Sequence, residues 1–138
     1  MELDTEASTS NTVRPVILSG RDIDALAEET FALANVNWKT LFSTGKTPTD
    51  SLCTGIAVCP PKTGHLCAHR HAQAEVYYIL EGRGTVKIDG VESNVEAGTV
   101  VFIPGNAEHA IWNVNDDNLR WFYVFPTDAF ENVVYRFS

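Results

Sequence analysis

From residue 36 to the C-terminus, apolar and polar positions alternate in short stretches separated by turn-forming residues. The alternation predicts strands over 36–42, 52–59, 75–80, 85–88, 91–96, 99–103, 110–114, 119–125 and 133–137. Between them lie a polar connection over 43–50 with Gly45 and Pro48, and tighter breaks at 60–64, 82–84 and 115–118. Asp89-Gly90 sits between two alternating segments and supplies the positive φ angles of a type I′ hairpin, so the middle of the chain is expected to be antiparallel. A different period precedes the strands. Ser19 and Asp22, followed by Ile23, Leu26, Ala27, Phe31 and Ala34, predict an N-capped amphipathic helix of roughly three turns. Nine short strands and one helix, with no internal repeat, fit an all-β sandwich or jelly roll.

The size agrees with one core: 138 residues are expected to comprise a frayed tail over 1–12 and a single domain over 13–138. A hydrophobic fraction of 44% is enough to form that core and excludes a disordered or low-complexity chain. The net charge of −8 argues against a nucleic-acid partner, which calls for clustered basic residues. No apolar run approaches the ~20 residues of a membrane span. The acidic, polar start resembles neither a secretory signal nor a transit peptide. Cys53, Cys59 and Cys67 form no CxxC pair, which suits a reducing compartment, and a cytoplasmic location is expected.

Chemistry concentrates in three histidines and a carboxylate. His69 and His71 share one strand face by parity, Glu75 keeps that parity after a short break, and His109 arrives from the Pro104-Gly105 corner. Three imidazoles and one carboxylate suit iron, nickel, manganese, zinc or copper better than calcium or magnesium. Tyr77 points by parity to the same interior, whereas Tyr78 faces away. Tyr77 is therefore the best acid or base beside the cluster, the alternative being a core tyrosine bonded to backbone. Cys67 shares the parity of His69 and is expected to line the pocket as a small apolar residue, and His65 is placed at the rim. Trp38, Trp112, Trp121, Phe122, Tyr123 and Phe125 supply core or interface, and 121–125, apolar on both faces, suggests a homodimer contact.

These residues resemble the two motifs of the cupins. Gly64, His69, His71, Glu75 and Gly82 match the first, and Gly98, Pro104, Gly105, His109 and Asn113 the second. Two departures concern loops only: Gly64 stands one residue closer to His69 than usual, and Gly105 follows Pro104 directly. The resemblance implies a jelly-roll barrel (double-stranded β-helix) and one divalent transition ion (iron, nickel, manganese or zinc) held by His69, His71, Glu75 and His109.

A more specific resemblance, to the cupin-type dimethylsulfoniopropionate lyases and their uncharacterised relatives, rests on 36–39, 74–77, 105–110, 125–130 and 133–135. It implies that Tyr77 takes the proton beside a metal-bound carboxylate and that Tyr135 is a second pocket tyrosine. The expected function is thus metal-dependent proton abstraction next to a carboxylate or carbonyl of a small-molecule substrate, in elimination, dehydration or isomerisation. An iron dioxygenase and a non-catalytic small-molecule-binding cupin are the alternatives.

Overall fold

The computed structural model describes residues 12–31 and 34–138, so the expected tail, apart from Thr12, lies outside the described residues. Ser19 caps the one helix among them: its hydroxyl accepts from Asp22 N at 3.0 Å, and the Asp22 carboxylate accepts from Ser19 N at 2.9 Å. Helix α1 (Gly20–Asp24) then lasts five residues, not the three turns its spacing predicts. None of its residues is buried, so no packing offsets the cost of a short helix. The chain instead enters a strand, β1 (Glu29–Thr30), paired with Trp38 and Asn37 of β2 (Asn37–Phe42).

The remaining strands are β3 (Cys53–Cys59), β4 (Gly64–Arg70), β5 (Glu75–Glu81), β6 (Arg83–Ile88), β7 (Val91–Glu96), β8 (Val100–Ile103), β9 (His109–Asn113), β10 (Leu119–Phe125) and β11 (Arg136–Phe137). They form two antiparallel sheets, ordered β1-β2-β3-β10-β5-β8 and β11-β4-β9-β6-β7, as the jelly-roll expectation requires. Asp89 (φ 48°) and Gly90 (φ 84°) turn β6 into β7 with the positive angles expected of that dipeptide. Trp121, Phe125, Ile79, Ile103, Ile111 and Leu119 are fully buried among the core residues. Burial on β10 alternates strictly, with Leu119, Trp121, Tyr123 and Phe125 inward.

Strand β4 was not among the expected strands, and its geometry corrects one assignment. It pairs Leu66 with Ile111 and then His69 with His109, three steps on β4 against two on β9. This bulge inverts the parity, so Leu66 and His69 both face inward while Cys67 is only half-buried and does not line the central cavity. Uninterrupted alternation would have paired Cys67 with His69. The expected C-terminal strand over 133–137 shortens to β11, because a 3₁₀ turn over Phe130–Asn132 carries the chain across the barrel first.

The outer face of the larger sheet is apolar where β5, β8 and the end of β10 lie side by side. Val76 pairs with Phe102 and Tyr78 with Val100 across β5 and β8, and Val124 and Phe122 lie alongside on β10. Phe102 and Val100 are 64% and 65% exposed. The homodimer expected from the sequence would bury this face. Light scattering tests it: a dimer mass for the native chain and a monomer mass for Phe102→Asp are expected, and a monomer mass for the native chain at high concentration overturns it.

Candidate metal centre

The bulge in β4, the end of that strand and the first residue of β9 deliver His69, His71 and His109 to one buried point. Their candidate ligand atoms all lie within 4.8 Å of one another. Ring centroids are 4.1 Å apart for His69 and His109, 4.8 Å for His71 and His109, and 5.4 Å for His69 and His71. Glu75, the first residue of β5, completes the cluster. Its Oε1 lies 3.2 Å from His71 Nε2 and 3.4 Å from His109 Nε2. The four side chains are at most 4% exposed.

Backbone carbonyls fix the tautomers. His69 Nδ1 donates to Cys67 O at 2.8 Å, His71 Nδ1 to Gln73 O at 2.9 Å, and His109 Nδ1 to Ala107 O at 2.9 Å. A carbonyl only accepts, so each Nδ1 carries the proton and each Nε2 turns a lone pair toward the cluster. His69 Nε2 and His109 Nε2 are buried without a hydrogen-bond partner. Buried, unpaired acceptors facing a carboxylate repel one another unless a cation lies among them. The donor set, three imidazoles and one carboxylate with their second nitrogens already anchored, fits a first-row transition ion.

The support around the cluster is local. Gly105 packs so closely on Ala72 O that a Cβ would collide with it, and the next residue, Asn106, donates its N–H to His71 O at 2.8 Å. The Pro104-Gly105 corner is thereby tied to the backbone of His71. Asn113, fully buried at the far end of β9, donates to the carbonyls of Cys59, Pro60 and Asp117 and fixes the strand that carries His109.

A cavity of about 370 Å³ adjoins the cluster and meets it through Glu75, Tyr77 and Tyr135. Tyr77 is 1% exposed and packs on Trp121 at 5.3 Å between ring centroids. Burial first, and then the charge of Glu75, hold its phenol well above the ordinary tyrosine range. Tyr135 stacks on His69 with centroids 4.6 Å apart and planes 14° apart, and burial raises its phenol similarly. His65 lies outside, exposed, with Nδ1 3.0 Å from Thr63 O. Phe31, Phe130, Glu131 and Phe137 also line the cavity, and the sequence pattern gave no sign of it. The helical spacing of the sequence assigns Phe31 to a helix instead.

Desolvation in the cluster, followed by the neighbouring His109, pushes the His69 imidazole down to about 3 from its ordinary 6.5. Between these values the unfolded chain binds more protons than the folded one, so stability rises with pH there and is lost as pH falls from about 6.5 toward 3. Thermal melts of the chelator-treated chain are expected to show Tm falling across that window, and His69→Leu to flatten the dependence. An equal slope in both proteins overturns the assignment.

Residues 55–125, just over half of the chain, match the cupin domain family. Over 104 residues the chain is 40% identical to the dimethylsulfoniopropionate lyase DddW of Ruegeria pomeroyi, an overlap of 75% of this chain but 66% of DddW. The chain thus spans slightly under two thirds of that relative's length. Among solved structures, the polyketide cyclase RemF from Streptomyces resistomycificus superposes with a TM-score of 0.72 over 91% of this chain and 84% of RemF, at 19% identity. A predicted oxalate decarboxylase from Thermotoga maritima gives a TM-score of 0.70 over 81% of this chain and 99% of its own, at 21% identity. Identities this low speak to the fold alone. With two antiparallel sheets closing on a histidine cluster and with the family match over 55–125, the chain belongs to the cupin family.

Proposed function

We propose that this cupin is a metal-dependent enzyme that removes a proton next to a bound carboxylate or carbonyl, in a lyase, dehydratase or isomerase reaction. The observation that carries the reading is the buried cluster of His69, His71, His109 and Glu75 opening onto a cavity through a tyrosine on the strand of Glu75. Those four side chains would hold one divalent transition ion. When bound, such an ion supplies a Lewis acid for the substrate's carboxylate or carbonyl and a positive charge that makes a nearby phenol a better proton acceptor.

Tyr77 holds the reacting proton at its hydroxyl. Two residues after Glu75 on β5, it borders the cavity on the same face as that carboxylate, while Trp121 fixes its ring. Tyr135, flat on His69, shields that imidazole and orients the substrate rather than moving the proton. The surrounding aromatic walls keep water from the proton transfer. The lyase activity on dimethylsulfoniopropionate in the name of the relative DddW fits this class of reaction. The same donor set beside an apolar cavity also suits iron and molecular oxygen, and dependence of turnover on dissolved oxygen would select that second reading.

Two measurements test the proposal. Metal analysis is expected to find about one transition ion per chain, lost in His69→Ala and in His109→Ala, while circular dichroism stays native because the sheets have their own core. Unchanged metal content in both variants overturns the ligand set. Tyr77→Phe is expected to keep metal and fold but to slow solvent-deuterium exchange at the carbon beside the carboxylate by ~10²–10⁴, the usual loss of a general base, with a smaller loss in Tyr135→Phe. Undiminished exchange in Tyr77→Phe removes it from the mechanism.

A further inference from the structure

His71 is held from two sides, and both holders are themselves tied to the C-terminal segment. Gln73 O accepts from His71 Nδ1 at 2.9 Å, and the side chain of the same residue donates from Nε2 to Asn132 O at 3.1 Å. Asn106 N donates to His71 O at 2.8 Å, while Asn106 Oδ1 accepts from Arg136 at 2.6 Å. Gln73 and Asn106 thus each bond the histidine through the main chain and the segment through the side chain.

The same segment reaches the other two histidines. Phe137 pairs with His69 across β11 and β4, Ser138 N donates to Ala68 O at 3.1 Å, and Ser138 Oγ donates to Glu108, the residue before His109. Tyr135 lies against His69 and His71, with ring centroids 4.6 and 5.3 Å away. None of the four proposed ligands belongs to the segment, yet it is bonded to a neighbour of each histidine.

Apart from these ties, little holds the segment down. Among residues 131–138, Val133 is buried and Tyr135 half-buried, and the rest are exposed. Strand β11 makes two residue pairs, one of which sets Arg136 opposite Arg70, like charges that disfavour the pairing. Both guanidiniums turn to Asn106, whose carbonyl accepts from Arg70 at 2.9 Å. Asn106 has a φ of 65°, a left-handed conformation that asparagine adopts more readily than most residues. A segment with so few buried contacts opens at a free energy below that of global unfolding. Opening breaks the bonds to Gln73 and Asn106, and the two backbone groups that orient His71 then lose a constraint.

We infer that Gln73 and Asn106 are positioning residues that couple the docking of residues 130–138 to metal binding at the histidine cluster. The docked segment raises the affinity for the ion, and a bound ion favours docking by the same factor, because such a coupling is reciprocal. The coupling rests on the ligand set proposed above; the ties themselves rest on the hydrogen bonds alone.

Hydrogen exchange and cobalt(II) titration on the full chain test it, the titration being read from the visible absorption of the bound ion. Cobalt is expected to slow exchange at the amides of 136–138 by at least about fivefold, the low end of ordinary couplings, and to leave β7, the opposite edge of the same sheet, unchanged. Gln73→Ala and Asn106→Gly keep the main-chain bonds to His71 and remove only the side-chain ties, glycine being suited to the positive φ. Combined, they are expected to speed exchange of 136–138 in the metal-free chain and to weaken cobalt binding by about twofold or more, the worth of a hydrogen bond. Asn106→Asp used in place of Asn106→Gly keeps an acceptor for Arg136 and is expected to recover most of both effects. Equal slowing in β7, or native cobalt affinity in a double variant whose segment exchanges faster, overturns the coupling. Unchanged exchange in the double variant removes Gln73 and Asn106 from the role. The exchange arm uses the native chain and stands even where the double variant does not fold. His69→Ala separates the two readings. If it binds cobalt like the native chain, the ligand set fails; if it loses cobalt while exchange of 136–138 in the native chain ignores the ion, the ligand set stands and the coupling fails.

Discussion

The constraint on which this fold turns is the burial of three imidazole lone pairs and a carboxylate at one point inside a β-barrel. Each unpaired buried acceptor costs on the order of 1–3 kcal/mol, so the cluster is a local destabilisation that the rest of the chain must hold in place. The three Nδ1–H···O=C bonds, at 2.8–2.9 Å, do so one residue at a time, because they fix ring orientation as well as tautomer. The bulge in β4 is part of the same device. Without the extra residue between Leu66 and His69, regular alternation would turn His69 outward and break up the cluster.

The cavity beside the cluster is closed in part by the segment after β1 and by the C-terminal segment. Phe31, following β1, packs edge-on against Trp38 and Tyr135, and near Phe137 at 5.5 Å. The C-terminal segment is pinned to the barrel by polar bonds at its flanks. Phe130 N donates to Ser43 Oγ at 3.0 Å, Gln73 Nε2 to Asn132 O at 3.1 Å, and Arg136 to Asn106 Oδ1 at 2.6 Å. Asn106 is also the residue bonded to His71 O, so the segment that places Tyr135 over His69 and the corner that precedes His109 share one anchor.

What the sequence disclosed follows the range over which each signal acts. Asp89-Gly90, the alternation on β10 and the close spacing of His69, His71 and Glu75 are local patterns, and each reads directly as geometry. The bulge is not local: it depends on which residue of β9 opposes β4, and so Cys67 was misplaced. Helix α1 was overextended for a related reason. The apolar spacing through Phe31 is real, but Phe31 is used by the aromatic cluster on Trp38 and Tyr135, and β1 pairs with β2 before the helix can reach it. Glu131 and Phe130 carry no periodic signal, since a 3₁₀ turn in an irregular segment brings them to the cavity.

Charge links the two halves of the site. With a divalent ion among them, three neutral imidazoles and one carboxylate would leave a single net positive charge, enclosed by side chains of low polarity. With Glu131 at the opening and no basic side chain along the walls among the described residues, the field within the ion-loaded cavity would run one way. Such a field would draw an anionic head inward and disfavour a second anion behind it. Orientation would then be set before any specific contact forms, and discrimination among substrates that share the head would fall to the shape of the aromatic walls. On the proposed reading the cluster and Tyr77 would determine the reaction, while the segment after β1 and the C-terminal segment, which supply Phe31, Phe130 and Tyr135, would determine what it is done to.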